Sequence, residues 1–173
     1  MSVTLQLANA PDAPFLTRHL RALLKLLKIS SGSWSITFVR DAEMKQLHAR
    51  TMNDPTTTDV LTFDLRDPPI KNPKSKLKNT LDLDTVICLD EARRRAKDLH
   101  HPLKHELLLY ALHSLLHVQG YDDLTEKDAQ KMHRREDELL VALGIGPVYR
   151  GNSAASPPKP RQNPRPRARR TKP

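Results

Sequence analysis

The sequence predicts an α+β fold in which a small mixed four-stranded sheet packs against about five helices. Three observations lead there. Alternation of apolar and polar residues, the period of a half-buried strand, is confined to the part of the chain that ends at Leu89. Helical patterning then runs to the end of the folded part. No segment repeats another, which sets aside solenoids and arrays.

Val3 to Leu7 alternates and predicts the first strand. Asp12 to Lys28 follows as a helix, with Phe15, Leu16, Leu20, Leu23, Leu24 and Leu27 on one face and Arg18, Arg21, Lys25 and Lys28 on the other. Trp34 to Phe38 predicts a second strand and the residues after Asp41 a short helix. Leu61 to Leu65 and Leu81 to Leu89 complete the strands, the last ending in an apolar Val-Ile-Cys run. Three helices are then expected, at Asp90 to Leu99, Pro102 to Val118 and Glu126 to Leu143. Thr125 and Asp128 have the spacing of a capping box at the start of the third, and Gly144 closes it.

The 173 residues carry a net charge of +9, which points to a polyanionic partner, nucleic acid or an anionic membrane surface. The charge is unevenly placed. Residues 150–173 hold eight Lys and Arg, six prolines and no acid, which leaves about +1 for residues 1–149. The chain is therefore expected to be one domain over 1–149 followed by a disordered, basic, Pro-rich tail over 150–173. A second basic stretch, Arg66 to Lys78, contains Lys71, Lys74, Lys76 and Lys78 among three prolines and reads as a long exposed loop. No apolar run approaches the roughly 20 residues that span a bilayer, and Met1 to Asn9 lacks the pattern of a secretory signal. The single cysteine, Cys88, cannot form an internal disulfide and reads as a core thiol, so a cytoplasmic location is expected.

The chemistry is concentrated in His113 to Asp123, HSLLHVQGYDD. Two histidines four apart in an otherwise apolar helix project from one face, one turn apart, and such a pair chelates a metal. Gly120 lets the chain leave the helix and reverse, returning Asp123 to the same point. His113, His117 and Asp123 thus form a three-donor set that leaves positions open for water or substrate, the pattern of catalytic zinc, on a late helix. The alternative is that both histidines are core residues. A competing pair, His101 and His105, has the same spacing but stands at the charged start of its helix beside Pro102 and Lys104 without a third donor, and reads as a surface pair. Metalloproteases of similar spacing place a glutamate after the first histidine as general base; here that residue is Ser114, which makes a metalloprotease the less favoured alternative.

The run HSLLHVQGYDD resembles the HGxLHLxGYDH signature of the YbeY family, metal-dependent single-strand-specific endoribonucleases of ribosomal RNA maturation and ribosome quality control. TDVLTF at Thr58 to Phe63 resembles the family's TDVLSF strand, DTVIC at Asp84 to Cys88 its GDIVIC strand, and EDELLVALGIGPVY at Glu136 to Tyr149 its carboxy-terminal helix. The resemblance implies a mixed four-stranded sheet with a zinc site in a cleft, and single-stranded RNA, ribosomal RNA foremost, with the ribosome or its proteins as partners.

Three positions depart from the family pattern. Its third metal ligand is a histidine, where this chain has Asp123; the donor set keeps its number but loses one unit of positive charge. Its phosphate-associated arginine, six residues before the TDVL threonine, is Met52 here, and Arg50 two residues earlier points elsewhere on a helix. The glycine before its strand aspartate is Leu83. The resemblance therefore implies a zinc-dependent endoribonuclease with His113, His117 and Asp123 as catalytic metal ligands. Met52 and Asp123 point instead to a non-cleaving ribosome-assembly or RNA-binding factor with a structural metal.

Overall fold

The computed structural model describes residues 3–66 and 79–148. The basic tail over 150–173 and Lys71, Lys74, Lys76 and Lys78 of the basic stretch lie outside the described residues. The elements run β1 (Val3–Ala8), α1 (Ala13–Leu26), β2 (Ser31–Val39), α2 (Asp41–Met52), β3 (Val60–Asp64), β4 (Thr80–Cys88), α3 (Leu89–Asp98), α4 (Leu103–Val118) and α5 (Glu126–Ala142). This is the α+β architecture expected, with four strands and five helices among the described residues. The sheet order is β1-β2-β4-β3. β1 and β2 pair in parallel through the α1 crossover, β2 and β4 also pair in parallel, and β3 returns antiparallel on β4, so the sheet is mixed.

The strand period sorts apolar residues onto two faces. Leu81, Leu83 and Ile87 of β4 share one face with Trp34, Ile36 and Phe38 of β2 and Val60 of β3, in the main core with α1, α4 and α5. The alternate residues Val39, Leu61 and Cys88 face the other way and form a small cluster with Met44 of α2. Met52 packs against this second cluster, half-buried, while Arg50 is exposed. Leu83, at the position of the family glycine, is a core residue.

α4 is the spine of the domain. Every residue from Glu106 to Leu116 is buried, because helices and sheet surround it and its sequence is apolar on all sides. Its rotation is set by hydroxyls. Thr62 and Thr85 are cross-strand partners, and both reach the Ser114 hydroxyl, at 3.0 and 2.8 Å. The Trp34 indole donates to Thr85 at 3.0 Å. Each such bond contributes about 0.5–1.5 kcal/mol net, no more than one well-buried leucine, so the chain's larger effect is directional. It holds Ser114 against the sheet and turns the neighbouring His113 away from it.

Helix ends shift slightly from expectation, and the causes are local. α1, α3, α4 and α5 end in the same backbone turn, with paired amide bonds back to the last helical carbonyls, such as Tyr121 to Leu116 at 3.1 Å and His101 to Ala96 at 3.0 Å. Gly120 and Gly144 supply the left-handed residue in two of them, but Lys28 and His100 do so in the others. At the start of α5 the Thr125 hydroxyl accepts from the Asp128 amide at 3.2 Å, and Asp128 accepts from that hydroxyl rather than returning to the backbone. Arg66 is not exposed as the basic stretch suggested. Its side chain is 9% accessible, and the guanidinium forks onto Asp64 at 2.7 and 2.6 Å and donates to the Val118 carbonyl at 2.8 Å. It thereby satisfies a carbonyl that the last turn of α4 leaves free. Among the described residues no helix is long and apolar enough to cross a membrane.

Candidate metal centre

His113 and His117 stand one turn apart at the carboxy-terminal end of α4, and their rings meet edge to face with centroids 4.5 Å apart. Gly120, at φ +94°, ends the helix and turns the chain back. Asp123 follows the turn and is buried, its amide bonded to the Asp122 carboxylate at 2.9 Å. The three residues predicted to converge are thus brought together, with one donor atom from each within 4.8 Å of the others.

Their orientation follows from what lies behind each ring. His113 Nδ1 is 2.6 Å from Glu136 Oε1, and His117 Nδ1 is 3.2 Å from the Tyr121 carbonyl oxygen. Both partners only accept, so each ring carries its proton on Nδ1 and directs the Nε2 lone pair inward. The two Nε2 atoms are 2.9 Å apart. Two lone pairs at that distance repel unless a metal ion or a shared proton lies between them. Asp123 adds negative charge to the same point, Oδ2 at 3.7 Å from His113 Nε2 and Oδ1 at 3.8 Å from His117 Nε2. Asp123 Oδ1 is buried without a hydrogen-bond partner.

The residues fit a metal ion. An unpartnered buried carboxylate oxygen is costly, and coordination would relieve it. The spacings of 2.9, 3.7 and 3.8 Å bracket the about 3.4 Å that separates donors in a tetrahedral site with bonds of about 2.0–2.2 Å. Burial and the facing His113 hold His117 below its ordinary value, with Asp123 pulling the other way. The ring is therefore neutral at pH 7, the form that binds metal.

Two supporting residues escaped the sequence reading. Glu136 is 1% exposed, and its second oxygen lies 2.9 Å from His133 Nδ1. Burial alone would raise its pKa, but hydrogen bonds from His113 and His133 hold it at about 2. A signal was present in the spacing: Ala129, Met132, Leu139 and Leu140 form the buried face of α5, and Glu136 is a carboxylate in that face.

The second histidine pair is different. His101 precedes α4, whose cap is Pro102, so the spacing of His101 and His105 is not a helical one. His101 is not a surface residue as expected: its side chain is 12% accessible, with Nε2 3.0 Å from Oε2 of the buried Glu106. His105 instead stacks on Phe15 at 5.7 Å. Cys88 is a core thiol as expected, buried, donating to Asp41 at 3.1 Å, its pKa pushed by burial up to about 11.

Comparison with known proteins identifies relatives of this chain. The model of the family described as endoribonuclease YbeY matches residues 10–144. A curated endoribonuclease YbeY of Clostridium botulinum is 31% identical over 147 residues, covering 75% of this chain and 89% of that protein. The Alkaliphilus metalliredigens protein of the same name is 31% identical over 154 residues, covering 84% and 98%. For a Myxococcus xanthus endoribonuclease YbeY the identity is 34% over 83% of this chain, which spans 48% of that longer protein. The solution structure of a Thermotoga maritima protein superposes with a TM-score of 0.54 over 89% of this chain and 99% of its own, at 18% identity, and so supports the fold alone. With a family model covering most of its length and relatives aligned nearly end to end, the chain belongs to the endoribonuclease YbeY family.

Proposed function

We propose that this protein is a zinc-dependent endoribonuclease that cuts single-stranded RNA, acting in the cytoplasm on ribosomal RNA during its maturation and in ribosome quality control. The observation that carries the reading is the convergence of His113 Nε2, His117 Nε2 and Asp123 on one point, in a chain whose relatives are named endoribonucleases. Two imidazoles and one carboxylate suit zinc, and His113, His117 and Asp123 would hold one ion. When bound, zinc supplies a Lewis acid that polarises a phosphoryl oxygen or readies a water. The chain's residues do the rest. Glu136 and the Tyr121 carbonyl keep both Nε2 atoms free of protons, and Asp123 would offset part of the charge of a bound ion. The lysines of the basic stretch and the arginines of the tail would hold the RNA backbone without reading its sequence.

Met52 favours a second reading, a ribosome-assembly or RNA-binding factor with a structural metal. The residue at the position of the family arginine rests on an apolar cluster instead of offering a guanidinium. Metal analysis of the purified chain, combined with an assay on single-stranded and duplex RNA carrying one 2′-deoxy position, separates the two. One zinc per chain with cleavage of the single strand that a chelator stops is the expected result. Cleavage persisting at the deoxy position assigns the attack to water, and its loss there assigns it to the 2′-hydroxyl. Bound zinc without cleavage of any strand overturns the nuclease in favour of the assembly factor.

A further inference from the structure

Glu136 lies on the buried face of α5, between Met132 and Leu139. A carboxylate there is strongly disfavoured unless both oxygens find donors. Both do: Oε1 accepts from His113 Nδ1 at 2.6 Å and Oε2 from His133 Nδ1 at 2.9 Å. We propose that Glu136, held in place by His133, is a positioning residue for the metal: it sets the tautomer and the angle of the His113 ring. The inference rests on the metal reading above.

The geometry separates this role from plain core packing. The contact to His113 is short and charge-assisted, whereas the other ligand ring leans on a neutral backbone carbonyl at 3.2 Å. An ionised acceptor behind a ring raises the basicity of its far nitrogen and fixes the ring's plane. The two ligands are thus unequal: His113 is anchored by charge from a second helix, and His117 by its own turn. His133 is 21% accessible, so the chain His133, Glu136, His113 runs from the surface inward to the donor atoms. α5 thereby contributes to the site although it supplies no ligand. The hydroxyls on Ser114 fix α4 against the sheet, and Glu136 fixes the ring that α4 carries.

Glu136→Gln tests the proposal, because it keeps the volume and removes the charge. Zinc affinity, measured by competition with a chromogenic chelator, should fall 10–100-fold. In the metal-free protein, long-range proton–nitrogen NMR should find His113 protonated at Nδ1 in the wild type and divided between tautomers in the variant. A residue that only packs moves neither reading. An affinity within twofold of wild type, with His113 still wholly Nδ1-protonated, overturns the inference and leaves the metal site standing. A wild-type chain that binds no zinc overturns both. Should Glu136→Gln fail to fold, the wild-type spectrum still decides: the proposal requires slowly exchanging Nδ1 protons on His113 and His133, and their absence overturns it.

Discussion

His113 with His117 and His101 with His105 have the same spacing in the sequence, yet the fold makes one a convergent donor pair and sends the other two rings to different partners. The difference has three causes. His113 and His117 are both inside α4, whereas the helix begins after His101. The two Nε2 atoms of the first pair face each other, whereas His101, whose Nδ1 also meets a carbonyl, that of Pro102, directs its Nε2 at Glu106. A turn after the first pair returns Asp123 to both rings. Spacing proposes both pairs, and the return of Asp123 beyond the helix end leaves the first alone as a group that could hold a metal among the described residues.

The strongest way to break the comparison is to remove donors from each pair. His113→Ala, His117→Ala and Asp123→Ala should each lower zinc affinity roughly 100-fold or more, the upper end of what removing a mere supporting group does. His101→Ala and His105→Ala should leave zinc content at one per chain. Asp123→His should keep the metal, since a third imidazole replaces the carboxylate donor. Asp122→Ala removes the acceptor of the Asp123 amide but none of the three candidate donors, and should have a smaller effect than Asp123→Ala. Metal analysis after dialysis checks all of these. If Asp122→Ala loses the metal and Asp123→Ala retains it, the register of the turn is wrong.

A smaller effect distinguishes the two rings of the second pair by sign. Burial alone would lower the pKa of His101, but Glu106 and the Pro102 carbonyl raise it above the ordinary 6.5, with Arg95 opposing. His105 goes the other way, lowered by burial and by His101, Lys104 and His19. A histidine whose folded pKa is raised adds stability that is full below pH 6.5 and is lost as the pH climbs through the raised value. One whose folded pKa is lowered adds stability above 6.5 that is lost as the pH falls through the lowered value. Urea unfolding from pH 5 to 8.5 should therefore find His101→Ala destabilised by roughly 1–3 kcal/mol on the acid side, where it leaves Glu106 buried without a counter-charge, and closer to wild type at alkaline pH. His105→Ala should remove a stability loss confined to the acid side. Parallel pH profiles for the two variants would show that Glu106 does not distinguish the rings.

The same contrast explains how much was legible in the sequence. Alternation and helical periodicity place most of the elements among the described residues, because burial on one face leaves a local trace at every second or every third and fourth residue, while α4, apolar on all sides, is marked by the length of its apolar run. The candidate donors were legible from two histidines four apart in an apolar helix, with Gly120 marking the return of the chain. What could not be read depends on pairings made by the fold. Glu136 reaches His113 from 23 residues away, Ser114 meets Thr62 and Thr85 only because β3 and β4 are in register, and Arg66 finds Val118 across 52 residues. Ser114 shows the difference well. Its position argued against a protease base, while its actual work, docking α4 on the sheet, needed the strands in place.

The smallest expected effect concerns the turns beside the two pairs. α4 ends through Gly120 at φ +94°, and α3, just before His101, ends through His100 at φ +55°. The backbone bonds of the two turns are alike, so the residue in the left-handed position is what differs. A side chain there costs about 1–2 kcal/mol, offset in part by the greater freedom of glycine in the unfolded chain. A Cβ on Gly120 would meet nothing within 4 Å, so Gly120→Ala is disfavoured by conformation alone, by about 1 kcal/mol. His100→Gly should stabilise by roughly 0.5–1 kcal/mol, a rise of about 2–4 °C in melting temperature. Neither change touches a donor atom, so zinc per chain should stay at one in both while the two melting temperatures move in opposite directions. A loss of zinc in Gly120→Ala without a comparable loss of stability would mean that the angle of this turn, and not merely its existence, sets where Asp123 arrives.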